Sequence, residues 1–80
     1  MQFPLHLLKV SENTQIMVEV KTGETYNGIL KAVDKFMNIK LADAVLTSAK
    51  GDVFHSIKEA YIRGNTLKYF TLENTSLKKI

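Results

Sequence analysis

The sequence predicts an all-β fold in which a short N-terminal helix precedes five strands that curl into a small, strongly bent barrel. Three observations carry this expectation. From Ile16 onward apolar residues alternate with polar ones, the period of strands that bury one face. Turn-forming clusters recur about every ten residues, the spacing of short antiparallel strands. Gly28 sits in the middle of the second apolar run, where a flat strand has no use for a glycine and a sharply bent one does.

The helix comes first. Pro4 suits a first helical turn because its missing N–H would go unsatisfied there anyway. Leu5, Leu7, Leu8 and Val10 follow before a polar stretch from Ser11 to Gln15, so a helix is expected over about 4–10. Ile16, Val18 and Val20 alternate with Met17, Glu19 and Lys21 as a first strand, and Thr22-Gly23-Glu24 turns the chain. The second strand, Thr25 to Val33, carries Tyr26, Gly28, Ile29, Leu30 and Ala32. After residues 34–37 the third runs from Asn38 to Ser48, and Ala49-Lys50-Gly51-Asp52 is a turn by composition. Val53 to Ile62 forms the fourth strand, Arg63-Gly64-Asn65-Thr66 a turn, and Leu67 to Leu72 the fifth. The tail, 73–80, is polar except for Leu77 and Ile80 and is assigned no element. Residues 1–80 thus read as one domain, with the barrel over about 15–72.

Eighty residues allow a single domain, because a chain this short leaves about 40% of its unfolded-state surface exposed even when folded. Hydrophobic residues are 45% and charged residues 24% of the chain, as in folded domains and unlike disordered ones. With no cysteine and two histidines, neither disulfides nor a structural metal site can staple the core. No cofactor or metal is expected. Lys and Arg number 11 against 8 Asp and Glu, a mild lean toward a polyanionic partner. No apolar stretch approaches the ~20 residues that span a bilayer, and the N-terminus lacks the pattern of a signal peptide. A soluble intracellular domain without a membrane partner is therefore expected. So small a core commonly gains stability by oligomerising.

Enzymatic chemistry has little support. No nucleophile-elbow pattern and no Gly-rich phosphate cradle are present, and His6 and His55 lie near opposite ends of the sequence. Asp34, Asp43 and Asp52 could be gathered by barrel loops, but nothing in their spacing asks for it. Two turns are more informative. In Asp34-Lys35-Phe36-Met37-Asn38 a cation and an aromatic occupy a loop rather than a strand face. An aromatic at a loop tip is hydrated without packing gain, so a partner such as a nucleobase face is one reading. Asn38 offers a donor and an acceptor to a base edge, and Asp34 can hold its amide in one rotamer. The other reading has Phe36 folding back on the barrel while Asp34 and Asn38 satisfy the turn. In the second turn, Gly64 permits positive φ and close approach by a ligand, and Arg63 can stack on a base or pair with phosphate. The alternative there is an arginine closing a hairpin beside a carboxylate. Met17 and Met37 read as core fillers.

Together the two turns resemble a known family. Gly23, Tyr26, Gly28, Leu30, Asp34, Met37, Asn38 and Leu41 match the first Sm motif in order and spacing. Tyr61-Ile62-Arg63-Gly64 followed by Leu67 matches the second, and the resemblance extends from Pro4 to about Leu72. Within the family the opening Pro4-Leu5-His6-Leu7-Leu8-Lys9, the segments around Val18 and Gly23, and Glu59 to Gly64 look most like the branch supplying subunit four of the eukaryotic Like-Sm ring. Phe36 stands where that branch often has tryptophan or tyrosine, which keeps a stacking face. The long Gly/Arg- or Asn-rich tail of many members has no counterpart here, so roles that depend on such a tail are not expected.

The resemblance implies an Sm-like (SH3-like/OB-like) barrel acting without catalysis. It implies that Phe36 stacks on a uridine, Asn38 reads its edge, Asp34 orients Asn38, Arg63 covers the opposite face and Gly64 gives the backbone room. It further implies a heteroheptameric ring on the uridine-rich 3′ end of single-stranded RNA, made with other Like-Sm subunits. A nuclear ring on U-six small nuclear RNA would serve splicing, and a cytoplasmic ring would promote mRNA decapping and decay. A homo-oligomeric ring is conceivable for the chain expressed alone. Pairing of the fourth strand with a neighbour's fifth would close such a ring, with Ile57, Ala60, Tyr61, Ile62, Leu67, Tyr69 and Phe70 supplying the apolar interface. A core Sm subunit and a peptide-binding barrel remain as other readings.

Overall fold

Alternation in the first strand sets the inside of the molecule: Ile16 and Val18 are fully buried and Val20 nearly so, while their neighbours face outward. The computed structural model describes residues 5–72. Pro4, at the expected helix start, and the tail 73–80 lie outside the described residues. Helix α1 spans Leu5–Val10, and the strands are β1 Gln15–Val20, β2 Thr25–Val33, β3 Ile39–Thr47, β4 Phe54–Ile62 and β5 Leu67–Leu72. A single 3-10 turn, Gly64–Thr66, precedes β5. Every strand boundary falls within one residue of the sequence expectation, because turn residues punctuate each end.

The five strands form one antiparallel sheet in the order β4-β3-β2-β1-β5. Among the described residues β4 and β5 are therefore its two edges. Inward side chains from all five strands close over a core that includes Leu30, Ile39, Leu41, Ala60 and Ile62, with Leu8 of α1 fully buried against it. The Ser11 hydroxyl, also buried, donates to the Leu7 carbonyl at 2.9 Å and finishes the helix.

The β2–β3 register shifts at Gly28 and again between Leu30 and Ala32. Asn27 pairs with Val45 and Ile29 with Ala42, so two β3 residues, Asp43 and Ala44, face the single β2 residue Gly28. Asp43 takes up the extra length at φ 50°, as bulged strands do. A Cβ on Gly28 would stand 3.0 Å from the Ala42 carbonyl oxygen and from the Ala44 Cα. Glycine thus lets β3 approach closely at this bulge.

Along the two edge strands the expected interface residues divide between the inside and the outside of the chain. Ala60, Ile62 and Leu67 are only 5%, 4% and 9% exposed and belong to the chain's own core. Ile57 and Phe70 pack half-buried against that core. Only Tyr61 and Tyr69 of the seven point outward, and the Tyr69 hydroxyl donates to Glu19 on the adjoining strand at 2.6 Å. The reason is geometric: an edge strand still alternates, so half of its apolar residues face inward.

Candidate nucleic-acid interface

The β2–β3 loop is organised by one carboxylate. Oδ1 of Asp34 accepts the backbone N–H of Phe36 at 2.9 Å and of Asn38 at 3.0 Å, and Oδ2 accepts the Asn38 side-chain amide at 3.0 Å. The Asp34 carbonyl accepts the Met37 N–H at 2.9 Å, closing the turn. Met37 adopts φ 67° and sends its side chain into the core. With Met37 turned in, Phe36 is turned out and stands 69% exposed. The alternative in which Phe36 folds back on the barrel is excluded. The Lys35 ammonium lies 5.4 Å from its ring centroid.

Partial desolvation pushes the Asp34 carboxyl up, but the Asn38 backbone and amide donors, the Phe36 N–H and the charge of Lys9 outweigh it. Its pKa is held below the ordinary value near 3.8. The group is a fixed anion at neutral pH.

The β4–β5 loop brings Arg63 and Gly64. Arg63 is exposed, and among the described residues no carboxylate lies within ion-pair distance of it, which removes the reading of an arginine beside a carboxylate. Gly64 donates its backbone N–H to Oδ1 of Asn38 at 2.7 Å, joining the two loops. Its expected role needs correcting. Gly64 has no positive φ, and the space left by its missing Cβ is taken by the chain itself: a Cβ would overlap the Phe36 carbonyl oxygen. Glycine lets the first loop, rather than a ligand, come close.

Asn38 therefore has a double engagement. Its amide nitrogen spends one hydrogen on Asp34 and its oxygen one lone pair on Gly64. One N–H and one lone pair remain for a ligand. Next to this clasp runs a groove of about 440 Å³ whose lining includes Asp34, Asn38, Arg63, Lys40 and Tyr61. Phe36 stands outside that groove. Lys40 was not legible as a site residue; its signal is its outward position two residues after Asn38, beside Tyr61 on β4.

The remaining candidates stay apart from this site. His6 and His55 are exposed on α1 and β4. Asp52 accepts the Ser48 hydroxyl at 2.9 Å in the β3–β4 turn, and Asp43 belongs to the bulge. Among the described residues no three His, Asp or Glu side chains gather to hold a metal, and no helix is long and apolar enough to cross a membrane.

A family model described as the LSM domain matches residues 6–72. A Caenorhabditis elegans protein named probable U6 snRNA-associated Sm-like protein LSm4 is 52% identical over 75 residues, covering 94% of this chain and 61% of that protein. The Homo sapiens U6 snRNA-associated Sm-like protein LSm4 is 49% identical over 69 residues, covering 86% of this chain and 50% of the relative. The chain thus spans only 61% and 50% of the length of these two relatives. Among solved structures, a Pyrococcus abyssii Sm protein in complex with a uridine heptamer superposes with TM-score 0.79 at 27% identity, over 89% of this chain and 99% of that one. With the family model matching from the helix to the last strand and relatives about half identical over most of its length, the chain belongs to the LSM-domain family.

Proposed function

We propose that this chain is a non-catalytic subunit of a seven-membered Like-Sm ring that holds uridine-rich single-stranded RNA at its central hole. One arrangement carries the reading: exposed Phe36 and exposed Arg63 sit on two loops locked together by the Asn38–Gly64 hydrogen bond. A flat base fits between an aromatic face and a guanidinium plane. The remaining lone pair and N–H of Asn38 can pair with N3–H and O4 of uracil; cytosine presents the acceptor at N3 and the donor at N4, the reverse order, so an amide held by Asp34 and Gly64 in the orientation that fits uracil mismatches cytosine. The archaeal Sm protein solved with a uridine heptamer supports uridine as the base.

Ring assembly is supported by the two strand edges. β4 and β5 each leave one edge unpaired within the described residues, and pairing each β4 with a neighbour's β5 satisfies both rows of backbone groups. Similarity to relatives named U6 snRNA-associated supports a nuclear ring on that RNA, serving pre-mRNA splicing. The family resemblance adds a cytoplasmic ring acting in mRNA decapping and decay, so the subunit would be found in nucleus and cytoplasm.

Native mass spectrometry of the chain with co-expressed Like-Sm subunits tests the assembly, and fluorescence anisotropy with labelled oligouridine and oligocytidine tests the ligand. The expected result is a heptamer that binds oligouridine more tightly, with salt-sensitive affinity. A monomer under all conditions, or equal affinity for the two oligomers, would remove the proposal.

A further inference from the structure

We infer that Tyr61 and Lys40 form a second nucleotide subsite, beside this subunit's Phe36–Arg63 pocket, which takes a base of the RNA strand lying beyond the ring's row of seven pockets. The inference rests on the RNA-binding reading above. Lys40 and Tyr61 are direct partners across β3 and β4. Their neighbours Ile39 and Ile62 are turned into the core, so alternation puts both side chains on the outer side of the sheet. Tyr61 is 70% exposed, an aromatic surface without internal packing to account for it.

The ring of Tyr61 is nevertheless held in place. Its hydroxyl donates to Oε1 of Glu59 at 3.2 Å, and the Lys40 ammonium lies 3.7 Å from Oε2 of the same carboxylate and 5.7 Å from the ring centroid. An aromatic fixed by its polar tip and flanked by a cation is the usual platform for an unstacked base. Lys40 has three donor hydrogens, and Glu59 engages only part of that capacity.

Continuity with the first site decides the occupant. Tyr61 and Lys40 line the same groove of about 440 Å³ as Asn38 and Arg63, a volume within the range of ligand pockets. The groove's two cations, Lys40 and Arg63, favour a polyanionic strand, while the carboxylate of Asp34 is occupied by the loop's own donors. Strand pairing along the β4 edge uses backbone groups in the plane of the sheet. The Tyr61 side chain stands perpendicular to that plane.

The test compares oligouridines of about seven and about fourteen nucleotides on the intact ring, because only the longer strand extends beyond seven pockets. Tyr61→Ala should weaken the long oligomer roughly fivefold or more and leave the short one unchanged, while Tyr61→Phe retains binding. Lys40→Gln should lower the salt slope for the long oligomer by about 0.7, the share of one phosphate contact. Phe54→Ala, which removes an equally exposed aromatic at the far end of β4, should change neither. Unchanged long-oligomer affinity in Tyr61→Ala overturns the subsite. Equal losses on both lengths, or a dissociated ring, overturn it as well and assign Tyr61 to the pocket or to a subunit contact. Phe36→Ala is the separate control for the underlying reading, since it should weaken both lengths.

Discussion

Asn38 and Gly64 are joined by a 2.7 Å hydrogen bond across 26 residues of chain, and it ties the two candidate RNA-contacting loops together. Asn38→Ala removes the acceptor for Gly64 and the donor to Asp34 together. The predicted outcome is a loss of about 1–3 kcal/mol of stability, on the scale of two hydrogen bonds. Oligouridine affinity should fall along with the preference over oligocytidine, since the loops lose their alignment as well as their base-reading group. Thermal denaturation and anisotropy on the same preparation would check this; unchanged affinity with lost preference would mean the clasp is dispensable.

Gly64→Ala puts a methyl group into the Phe36 carbonyl, so the two loops must separate. A cost of ~1–3 kcal/mol, typical of forced overpacking, is expected, with a melting temperature lowered by about 4–8 °C per kcal/mol. Gly51→Ala is the comparison. That position has φ 79° with nothing within 4 Å of a Cβ, so its cost is backbone strain alone, about 1–2 kcal/mol, and binding should persist. If Gly64→Ala bound RNA normally while Gly51→Ala did not, the loop contact would have no functional role.

Gly28→Val raises strand propensity yet should destabilise, because its Cβ meets the Ala42 carbonyl and the Ala44 backbone at 3.0 Å. A loss of ~1–3 kcal/mol is expected. A melting temperature equal to or above that of the wild type would show that the bend tolerates a side chain.

The acid response of the first loop follows from Asp34. Its folded-state pKa is depressed below the ordinary value near 3.8, so its contribution is fully present above that value and is lost as pH falls through the folded-state pKa. Amide signals of Phe36 and Asn38 should hold constant from neutral pH down to about 4 and shift together below it. In Asp34→Asn the difference from wild type should shrink as pH drops through that window. A transition near neutral pH instead would point to another group.

Much of the fold was legible because each cue was local. Pattern and turn residues gave every strand to within one residue, and Gly28 announced the bend. The extra β3 residue that makes the bend, Asp43, carries no such cue, since its positive φ follows from register with β2. The loop residues Asp34, Phe36, Asn38 and Arg63 stood out by chemistry, but the Asn38–Gly64 contact joins residues far apart in sequence. Gly64 was misread for the same reason: what fills the space beside it comes from the other loop. Which of the expected interface residues face inward follows from strand alternation, and it puts Ala60, Ile62 and Leu67 in the chain's own core.

Burial of these three residues sets what substitutions there report. Ile62→Asp places a carboxylate in the chain's own core, where an unpaired charge costs several kcal/mol unless it protonates. Circular dichroism of the isolated chain should show unfolding, with ring loss as a consequence. A folded Ile62→Asp monomer would return Ile62 to the interface.

The proposed uridine pocket of Phe36, Asn38 and Arg63 is probed by anisotropy of labelled oligouridine and oligocytidine on an intact ring carrying Phe36→Ala in this subunit. Loss of one stacking platform is worth roughly five- to 150-fold where this pocket dominates, and proportionately less where the other subunits share the strand. Oligouridine binding should weaken in Phe36→Ala and be restored in Phe36→Trp. Oligouridine affinity unchanged in an intact ring bearing alanine at Phe36, Asn38 and Arg63 together would contradict the proposed pocket.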